Sequence, residues 1–413
     1  MKTLTSSPNT SLYPLPMSHP RVCITTLEFP PDLGGVGESV ARIAGLLQST
    51  GYEVHVAVFH SKQRKSVGFH RSSQEISLHN GIHVHRLNPA KRSNSPILQD
   101  YLSEIYFQLR QLHQQEQFDL FHAFFINETG FLTTLLAREE GVPIINSVRG
   151  SDLHKHIFSP KQHGQICWTL DNSDWVTFVS RDLQRRGQVL APSLRTKSTM
   201  FLNSIQPVDF SALPKPPIAD QLSDGLVVGS VGRFRDKKGL EYLLDACHQL
   251  DLPLTLLLVG DFADRERTYW EETVRDSGMR DRVVITGMIP REEGLAYLRY
   301  IDIYVIPSLH DGCPNALLEA MLSGRAIVGS SADAIGEILA DGKNGLVVPP
   351  GDTAALKTAI QTLAQSPDLR QRLGKAAQAT VHQQLSPSVE QTKWAMVYSR
   401  VLDNAAHLSA IAS

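Results

Sequence analysis

The sequence at residues 302–323 is DIYVIPSLHDGCPNALLEAMLS, an apolar run, a short loop with Gly and Pro, and a second apolar stretch. The first run predicts a buried strand, and the stretch from Asn315 to Ser323 predicts a helix. A strand that leads through a short loop into a helix is typical of a parallel sheet. Because ligands bind beyond the carboxyl ends of strands in open parallel sheets, the loop is predicted to lie in a binding cleft.

The same alternation of apolar runs and amphipathic stretches extends along the chain and predicts an α/β fold of two Rossmann-like, doubly wound domains facing a central cleft. In the first domain, strands are predicted at 22–27, 53–59, 82–87, 119–124, 143–148 and 175–180, and helices at 39–49 and 99–116. In the second domain, strands are predicted at 226–231, 254–259, 282–286, 303–306 and 326–329, and closing helices at 354–364, 367–382 and 387–407.

Residues 205–225 interrupt this alternation, since they hold four prolines and few apolar residues, and they predict a linker between the domains. We therefore predict five segments along the chain. They are a flexible tail at 1–20, an acceptor-side domain at 21–206, a linker at 207–224, a donor domain at 225–386, and a helix at 387–413 that packs back toward the first domain.

The composition excludes several classes of protein. With 40 basic and 42 acidic side chains the net charge is −2, which does not favour a nucleic-acid partner. The four cysteines lie far apart, which argues against a disulfide framework and favours a reducing, cytoplasmic location. No run approaches the roughly 18 apolar residues of a membrane span. The basic stretch at 62–65 with Arg71, Lys91 and Arg92 is best explained by solvated loops, with a weak peripheral contact at the inner face of the membrane as the alternative.

Two histidine pairs raise the question of a metal site. His83 and His85 alternate along a predicted strand, and His154 and His156 have the same spacing. Neither pair has further ligands nearby in the sequence, so we interpret them as exposed side chains and predict no metal.

Two cations follow the first strand of the second domain. Arg233 and Lys238 flank the loop between this strand and the next helix, where free backbone N–H groups also lie. Cations beside a helix N-terminus suit a diphosphate. A solvated basic loop explains the same residues equally well when they are considered alone.

Two carboxylates flank the start of the helix in the stretch quoted first. Asp311 precedes the helix and Glu319 lies within it, so they would reach hydroxyls at opposite ends of one elongated ligand. The N–H groups after Gly312 would face the phosphates of that ligand. In the alternative interpretation Asp311 caps the helix and Glu319 is a surface charge, but an apolar helix leaves Glu319 unexplained.

These motifs occur in the order of a known family. They are Gly34-Gly35-Val36-Gly37-Glu38, Asp119 to Ala123, Gly150-Ser151-Asp152, Asn203, Gly232-Arg233, Lys238-Gly239, Asp311 to Glu319, and Gly345 to Pro349. The set resembles family 4 of the retaining glycosyltransferases, whose fold is called GT-B, from about residue 21 to the C-terminus. The resemblance implies transfer of a sugar from a nucleoside diphosphate sugar to an acceptor hydroxyl with retention of configuration, in polysaccharide, glycolipid or glycoside biosynthesis.

The resemblance also implies roles for individual residues. Arg233 and Lys238 would hold the donor diphosphate and stabilise its charge as it leaves. Glu319 would bind the ribose and Asp311 the sugar. The remaining donor-binding candidates are Gly35, Gly37, Gly312, Asn315, Ala316 and Leu317. Enzymes of this family generally work without a metal or other cofactor, and a UDP-sugar is expected as co-substrate more than a GDP-sugar.

The sequence departs from the family pattern at three positions. Asp311 stands where a glutamate is usual, Phe124 where a second histidine is frequent, and Arg149 where a histidine precedes the glycine. His122 is the remaining match and a catalytic candidate, with a buried, hydrogen-bonded histidine as the alternative. The acceptor, either a sugar, a lipid-linked molecule or a small molecule, would meet Glu128, Arg149 and Asp152.

Three other functions remain open from the sequence. An epimerase or hydrolase could act on the same nucleotide sugar with the same fold, and a non-catalytic binder could keep the donor site without turnover. A dinucleotide-dependent oxidoreductase is less well supported, because residues 35–40 lack the third glycine of the fingerprint and the second strand ends without an acid.

Overall fold

A computed structural model of the chain describes residues 19–32, 34–59, 69–92, 98–222 and 225–412. The predicted tail at 1–20 lies almost entirely outside these ranges, and the basic stretch at 62–65 lies wholly outside them. Among the described helices, none combines the length and the apolar character needed to cross a membrane.

Within the described residues, the first half of the chain forms an eight-stranded sheet in the order β3-β4-β2-β1-β5-β6-β7-β8. The strands are β1 (Arg21–Thr26), β2 (Glu53–Phe59), β3 (Ser73–His79), β4 (Ile82–Asn88), β5 (Leu120–Phe124), β6 (Ile144–Val148), β7 (Trp175–Phe178) and β8 (Ser198–Met200). All neighbours pair in parallel except β3, which pairs antiparallel with β4 at the edge.

Six α-helices cover this sheet in the described part of the first half. They are α1 (Gly35–Ser49), α2 (Leu98–Glu116), α3 (Glu128–Glu140), α4 (Ser151–His154), α5 (Pro160–Asp171) and α6 (Arg181–Leu190). Helix α1 begins four residues earlier than its predicted start at 39, because the glycine turn itself forms the first helical turn.

The second half forms a parallel sheet in the order β11-β10-β9-β12-β13-β14 within the described residues. Its strands are β9 (Leu226–Val231), β10 (Leu254–Val259), β11 (Val283–Ile285), β12 (Ile303–Ile306), β13 (Ala326–Ser330) and β14 (Leu346–Val348). Its helices are α7 (Leu240–His248), α8 (Arg267–Asp276), α9 (Arg291–Tyr297), α10 (Asn315–Leu322), α11 (Asp333–Ile338), α12 (Thr353–Gln365) and α13 (Pro367–Gln384). Each of the two sheets carries buried apolar clusters, as expected for doubly wound sheets covered by helices.

The last helix, α14 (Pro387–Ala412), returns to the first half of the chain. Trp394 and Tyr398 are fully buried in the cluster that contains Val22, Ile24 and Phe124. In the opposite direction, Leu222 of the predicted linker packs into a core cluster of the second half. The chain therefore crosses between the two halves twice, and both crossings are anchored by buried apolar side chains.

The two halves meet closely where the carboxyl ends of their strands face each other. A Cβ placed on Gly312, in the loop after β12, would lie 2.4 Å from the carbonyl oxygen of Arg149, which follows β6. Because this distance is far below van der Waals contact, a side chain at 312 would push the halves apart. The close approach brings the quoted loop against the first half of the molecule.

Candidate active site

The loop after β9 carries the two predicted cations. Asp236–Lys238 forms a 3₁₀ turn, and Gly239 follows with a φ of 66°. A Cβ on Gly239 would lie 2.2 Å from the carbonyl oxygen of Pro307, just beyond β12, so this position requires glycine for both its conformation and its space. The turn thereby holds Lys238 against the loop that contains Asp311.

Lys238 and Asp311 form a close ion pair. The Nζ of Lys238 lies 2.6 Å from Oδ2 of Asp311, and the Nζ of Lys237 lies 3.8 Å from Oδ1. Burial by itself would raise the pKa of Asp311, but Lys238 and Lys237 together outweigh burial, and the pKa lies below its usual value. Asp311 is therefore an ionised hydrogen-bond acceptor at neutral pH.

Arg233 and Glu319 line one cavity of about 180 Å³, together with Gly232, Pro290 and Arg291. Arg233 is half exposed, and its Nη2 lies 3.1 Å from Oδ2 of Asp264. A partner so exposed to water holds an arginine weakly, so Arg233 can exchange Asp264 for a more highly charged anion.

Glu319 is buried within α10 and is held by Arg291. The Nη2 and Nε of Arg291 donate to the same oxygen, Oε1, at 2.6 and 3.1 Å. Burial raises the pKa of Glu319, Arg291 opposes that rise, and Glu38 in the first turn of α1 adds to it. Glu319 is therefore not the surface charge of the alternative interpretation. Arg291 was missed in the sequence, because an arginine after Pro290 has no distinguishing pattern.

Helix α10 begins at the predicted donor loop. Asn315 is its first residue, and Oδ1 of Asn315 accepts a hydrogen bond from Nδ2 of Asn203 at 3.0 Å. Ala316 follows and is half-buried. The expectation that Leu317 contributes to donor binding is not supported, because its side chain is fully buried in the core and its backbone N–H donates to the carbonyl of Pro314.

The glycine turn after β1 supplies the start of α1. No described atom lies within 4 Å of the position that a Cβ on Gly35 would take, so the backbone there is open to a ligand. Gly37 is buried, and a Cβ at this position would lie 3.4 Å from the backbone of Glu28. Glu38 of this turn also contributes to the raised pKa of Glu319, after burial.

His122 does not have the environment of a catalytic group, and its assignment as a candidate is corrected here. The residue is fully buried. Its Nδ1 lies 2.8 Å from Oη of Tyr398 and its Nε2 lies 2.7 Å from Oγ of Ser147, so both ring nitrogens have buried partners. Burial, with a contribution from Arg149, lowers the pKa of His122 to about 3, which keeps the ring neutral.

Asp152 is likewise a structural residue and not an acceptor-side contact. It is fully buried, and its Oδ1 accepts the backbone N–H groups of Gly150 at 2.7 Å and Arg149 at 3.1 Å. The carboxylate thereby fixes the turn after β6. That turn directs the guanidinium of Arg149 over the ring of Phe124 at 5.4 Å and onto Oδ1 of Asn203 at 2.8 Å.

Arg149 therefore lies where the two halves of the molecule meet. Burial, with Arg42 nearby, lowers its pKa to about 10, so the guanidinium remains charged at neutral pH. Asn203 bonds to both Arg149 and Asn315, which links the first half to the start of α10.

Glu128 lies at the start of α3 and lines a separate cavity of about 480 Å³ with Lys155, His156 and Lys161. Burial raises the pKa of Glu128. The structure thus places Glu128 beside basic side chains of α5 and the segment before it, in a cavity whose lining does not include the donor residues.

The interpretation of the histidine pairs is wrong for two of their members. His85 is buried, and its Nε2 lies 3.0 Å from Nδ1 of His55, while His83 stays exposed and stacks on His55. The side chain of His154 is also buried, beside Asp333 of the second half. Oδ2 of Asp333 accepts the backbone N–H of Asp311 at 2.8 Å, a contact that the sequence did not predict.

Two family models match the chain, one in each half. The model described as "Glycosyl transferase 4-like domain" matches residues 34–189. The model described as "Glycosyl transferases group 1" matches residues 225–366, which include Arg233, Lys238, Asp311 and Glu319.

Individual relatives show the same likeness. Alpha-D-kanosaminyltransferase of Streptomyces kanamyceticus is 30% identical over 159 residues, which are 38% of this chain and 41% of that protein. Phosphatidyl-myo-inositol mannosyltransferase of Mycobacterium leprae is 24% identical over 397 residues, which are 92% of this chain and 94% of that protein. The chain spans less than half the length of the curated relatives that are 30–32% identical to it.

Solved structures confirm the fold. Sucrose-phosphate synthase from Thermosynechococcus elongatus superimposes with a TM-score of 0.76 at 19% identity, over 94% of this chain and 100% of that chain. HepE from Anabaena, in complex with UDP-glucose, superimposes with a TM-score of 0.72 at 19% identity, over 92% of this chain and 100% of that chain. The predicted GT-B arrangement of two Rossmann-like domains is therefore correct.

Proposed function

Because the chain belongs to the group 1 glycosyltransferases of the family 4 type, we propose that it transfers a sugar from a nucleoside diphosphate sugar to an acceptor hydroxyl, with retention of anomeric configuration. The observation that carries this proposal is the position of two cations and two carboxylates around the start of α10. Lys238 pairs with Asp311, and Arg233 shares a cavity with Glu319.

In this arrangement each part of the donor would have a binding partner. Glu319, buried beside Arg291, would accept hydrogen bonds from the ribose hydroxyls. Asp311, ionised by its lysine neighbours, would accept hydrogen bonds from the sugar hydroxyls. The diphosphate would lie between these ends, where Arg233, Lys238 and the open backbone at Gly35 supply positive charge and N–H groups.

In the proposed reaction the bond between the anomeric carbon and the phosphate oxygen breaks, and a bond from the acceptor oxygen to that carbon forms on the same face. The departing phosphate oxygen takes the proton of the acceptor hydroxyl, so no separate base is required. Arg233 and Lys238 stabilise the charge that develops on the diphosphate. This route agrees with the buried, neutral state of His122.

The nucleotide and the acceptor are proposed as chemical classes. UDP is favoured over GDP, and the UDP-glucose complex of HepE supports this choice by fold likeness. The acceptor would enter from the first half, near Arg149 and Asn203, in polysaccharide, glycolipid or glycoside biosynthesis. Relatives in these classes of biosynthesis support that range, including a lipopolysaccharide core glycosyltransferase.

Product analysis separates transfer from the alternatives. Chromatographic separation of epimers followed by mass spectrometry, applied to a reaction with a nucleotide sugar and an acceptor, should show a glycoside and the free nucleoside diphosphate. An epimerised nucleotide sugar, or a free sugar with no glycoside, would establish the epimerase or the hydrolase instead.

A further inference from the structure

Among the described residues, His154, Asp182 and Asp333 bring one ligand atom each into a group whose members all lie within 4.8 Å of one another. They come from three helices, α4, α6 and α11, and from both halves of the molecule. The group lies apart from the donor cavity lined by Arg233 and Glu319, and the proposed transfer reaction makes no use of it.

The imidazole of His154 is buried, and one of its nitrogens, Nε2, lacks a hydrogen bond to any described residue. Its side chain is 8% exposed, and Nε2 has no hydrogen-bond partner among the described residues. Oδ1 of Asp333 is 3.3 Å away, but the direction does not make a hydrogen bond. A buried polar atom without a partner is unfavourable unless a ligand satisfies it. Nε2 therefore has an acidic neighbour, Oδ1 of Asp333, but no hydrogen bond to it, and an ion shared with that carboxylate would satisfy it.

The two carboxylates are each held by a second group, which leaves oxygen atoms directed at the same position. Oδ2 of Asp333 accepts the N–H of Asp311 at 2.8 Å, while Oδ1 is the atom near His154. Oδ2 of Asp182 accepts Nε of Arg186 at 2.7 Å. Two carboxylates this close favour a neighbouring cation, and Arg186 supplies part of that positive charge at Asp182.

The backbone conformation of Asp333 is unusual. Its φ is 43°, a left-handed conformation that residues other than glycine seldom adopt. An aspartate kept in this conformation places its carboxylate toward His154 and Asp311 together.

A cavity of about 400 Å³ is lined by Asp182 and Asp333, two of the three members of the group. Its lining is mixed in charge. The acidic side chains are Asp182, Asp333 and Glu337, and the basic ones are Arg181, Arg185, Arg186 and His310. Because the three arginines oppose the binding of any cation, only an ion coordinated directly by His154, Asp182 and Asp333 would bind here.

We propose that His154, Asp182 and Asp333 bind one divalent transition-metal ion, with Zn²⁺ as the preferred ion. One imidazole nitrogen and two carboxylate oxygens are ligands that suit zinc, whereas Mg²⁺ prefers an all-oxygen octahedral set. The ion joins the two halves of the molecule. Oδ2 of Asp333 also accepts the N–H of Asp311, so the ion would lie next to the proposed sugar-binding loop without forming part of it.

The test is calorimetric titration of Zn²⁺ into the untagged, full-length chain after treatment with a chelator. We expect the parent to bind Zn²⁺ saturably. In His154→Ala and in Asp182→Asn, one equivalent of this binding should be lost or weakened at least tenfold. The matched control is His156→Ala, which removes a neighbouring histidine outside the group and should bind like the parent. The nearby pair of His163 and Cys167, 3.6 Å apart, can add a second equivalent that these variants leave unchanged.

Circular dichroism melts of the metal-free variants show whether they fold. If His154→Ala does not fold, Asp182→Asn decides the question, because the Asp182 side chain is 41% exposed and tolerates substitution. The proposal is overturned if the parent binds no zinc, or if parent and variants bind the same number of equivalents with the same affinity. Zinc binding is measured without nucleotide, so this outcome is independent of the transferase proposal.

Discussion

The Nζ of Lys238 lies 2.6 Å from Oδ2 of Asp311, and this pair joins the loop after β9 to the loop after β12. The carboxylate that replaces the usual glutamate is therefore held by the cation proposed to bind the diphosphate. Donor binding must share or exchange this contact, so the pair connects sugar recognition to phosphate recognition.

Replacing Lys238 with Met should make donor binding sensitive to mild acid. The folded pKa of Asp311 lies below the usual value of 3.8, so the stability from this pair is present above that value and is lost as the pH falls through the folded pKa. Without Lys238 burial dominates and the pKa of Asp311 rises. Calorimetry of nucleotide-sugar binding from pH 7 to pH 4.5 should show affinity falling in Lys238→Met but not in the parent. Parallel profiles would contradict the pairing.

The shorter side chain at position 311 is expected to be sufficient for catalysis. Asp311→Asn should lower kcat/KM at least tenfold, because an amide loses the charge that orders the sugar hydroxyls. Asp311→Glu should stay within about tenfold of the parent, since it keeps a carboxylate that can pair with Lys238. Steady-state kinetics with the donor varied would measure both. Turnover detected in Asp311→Glu alone would instead show that the native protein is a non-catalytic binder.

The contact between Arg291 and Glu319 should control the pH dependence of ribose binding. The pKa of Glu319 is raised above its usual 4.5, so the folded state favours the protonated form and loses stability as the pH rises from 4.5 toward the folded pKa. Arg291→Leu removes the group that opposes this rise, and Glu319 should then take up a proton at higher pH.

If ionised Glu319 binds the ribose, acidification below neutral pH should weaken donor binding by Arg291→Leu. The Kd of this variant for the donor should increase by up to about tenfold per pH unit, which is more than in the parent. Binding titrations at pH 7, 6 and 5 measure the difference, with Arg299→Leu, from the following 3₁₀ turn, as the control. Equal slopes in the three proteins would separate Glu319 from donor recognition.

His122 should act on stability and not on chemistry. His122→Ala removes two buried hydrogen bonds and leaves a cavity between β5 and α14, for which we expect a loss of roughly 2–4 kcal/mol in the free energy of unfolding. Tyr398→Phe, which removes one of these bonds, should lose about 1 kcal/mol. Urea unfolding measures both. A kcat that falls a hundredfold with unfolding unchanged would restore His122 as a catalytic residue.

The strands were predictable where apolar runs are buried on both faces. The predicted bounds at 53–59, 226–231, 254–259 and 303–306 agree with β2, β9, β10 and β12 because parallel strands between helices are continuously apolar. Strand β3 was not predicted, since Ser73–His79 is largely exposed and mostly polar. Its position is set by antiparallel pairing with β4, a tertiary contact that leaves no local pattern.

The candidate site was predictable in part for a related reason. Arg233, Lys238 and Asp311 lie in loops after strands and Glu319 lies one turn into α10, where topology directs them to one edge of the sheet. Orientation was not predictable at His122, Asp152 and Leu317, because side chains at a strand or helix end can point into the core as well as into the cleft. Arg291 and Asp333 reach the site through contacts between elements distant in sequence.

The central claim is that a nucleoside diphosphate sugar binds beside Arg233, and thermal-shift measurements against a panel of nucleotide sugars test it most directly. A ligand at a hundred times its Kd stabilises the folded state by about 2.7 kcal/mol, so one donor should raise the Tm of the parent by several degrees. The shift should disappear in Arg233→Ala and persist in Arg265→Ala, which replaces an exposed arginine that does not line the cavity of Arg233. If no nucleotide sugar shifts the Tm of the parent, or if Arg233→Ala shifts equally, the donor site proposed here does not exist.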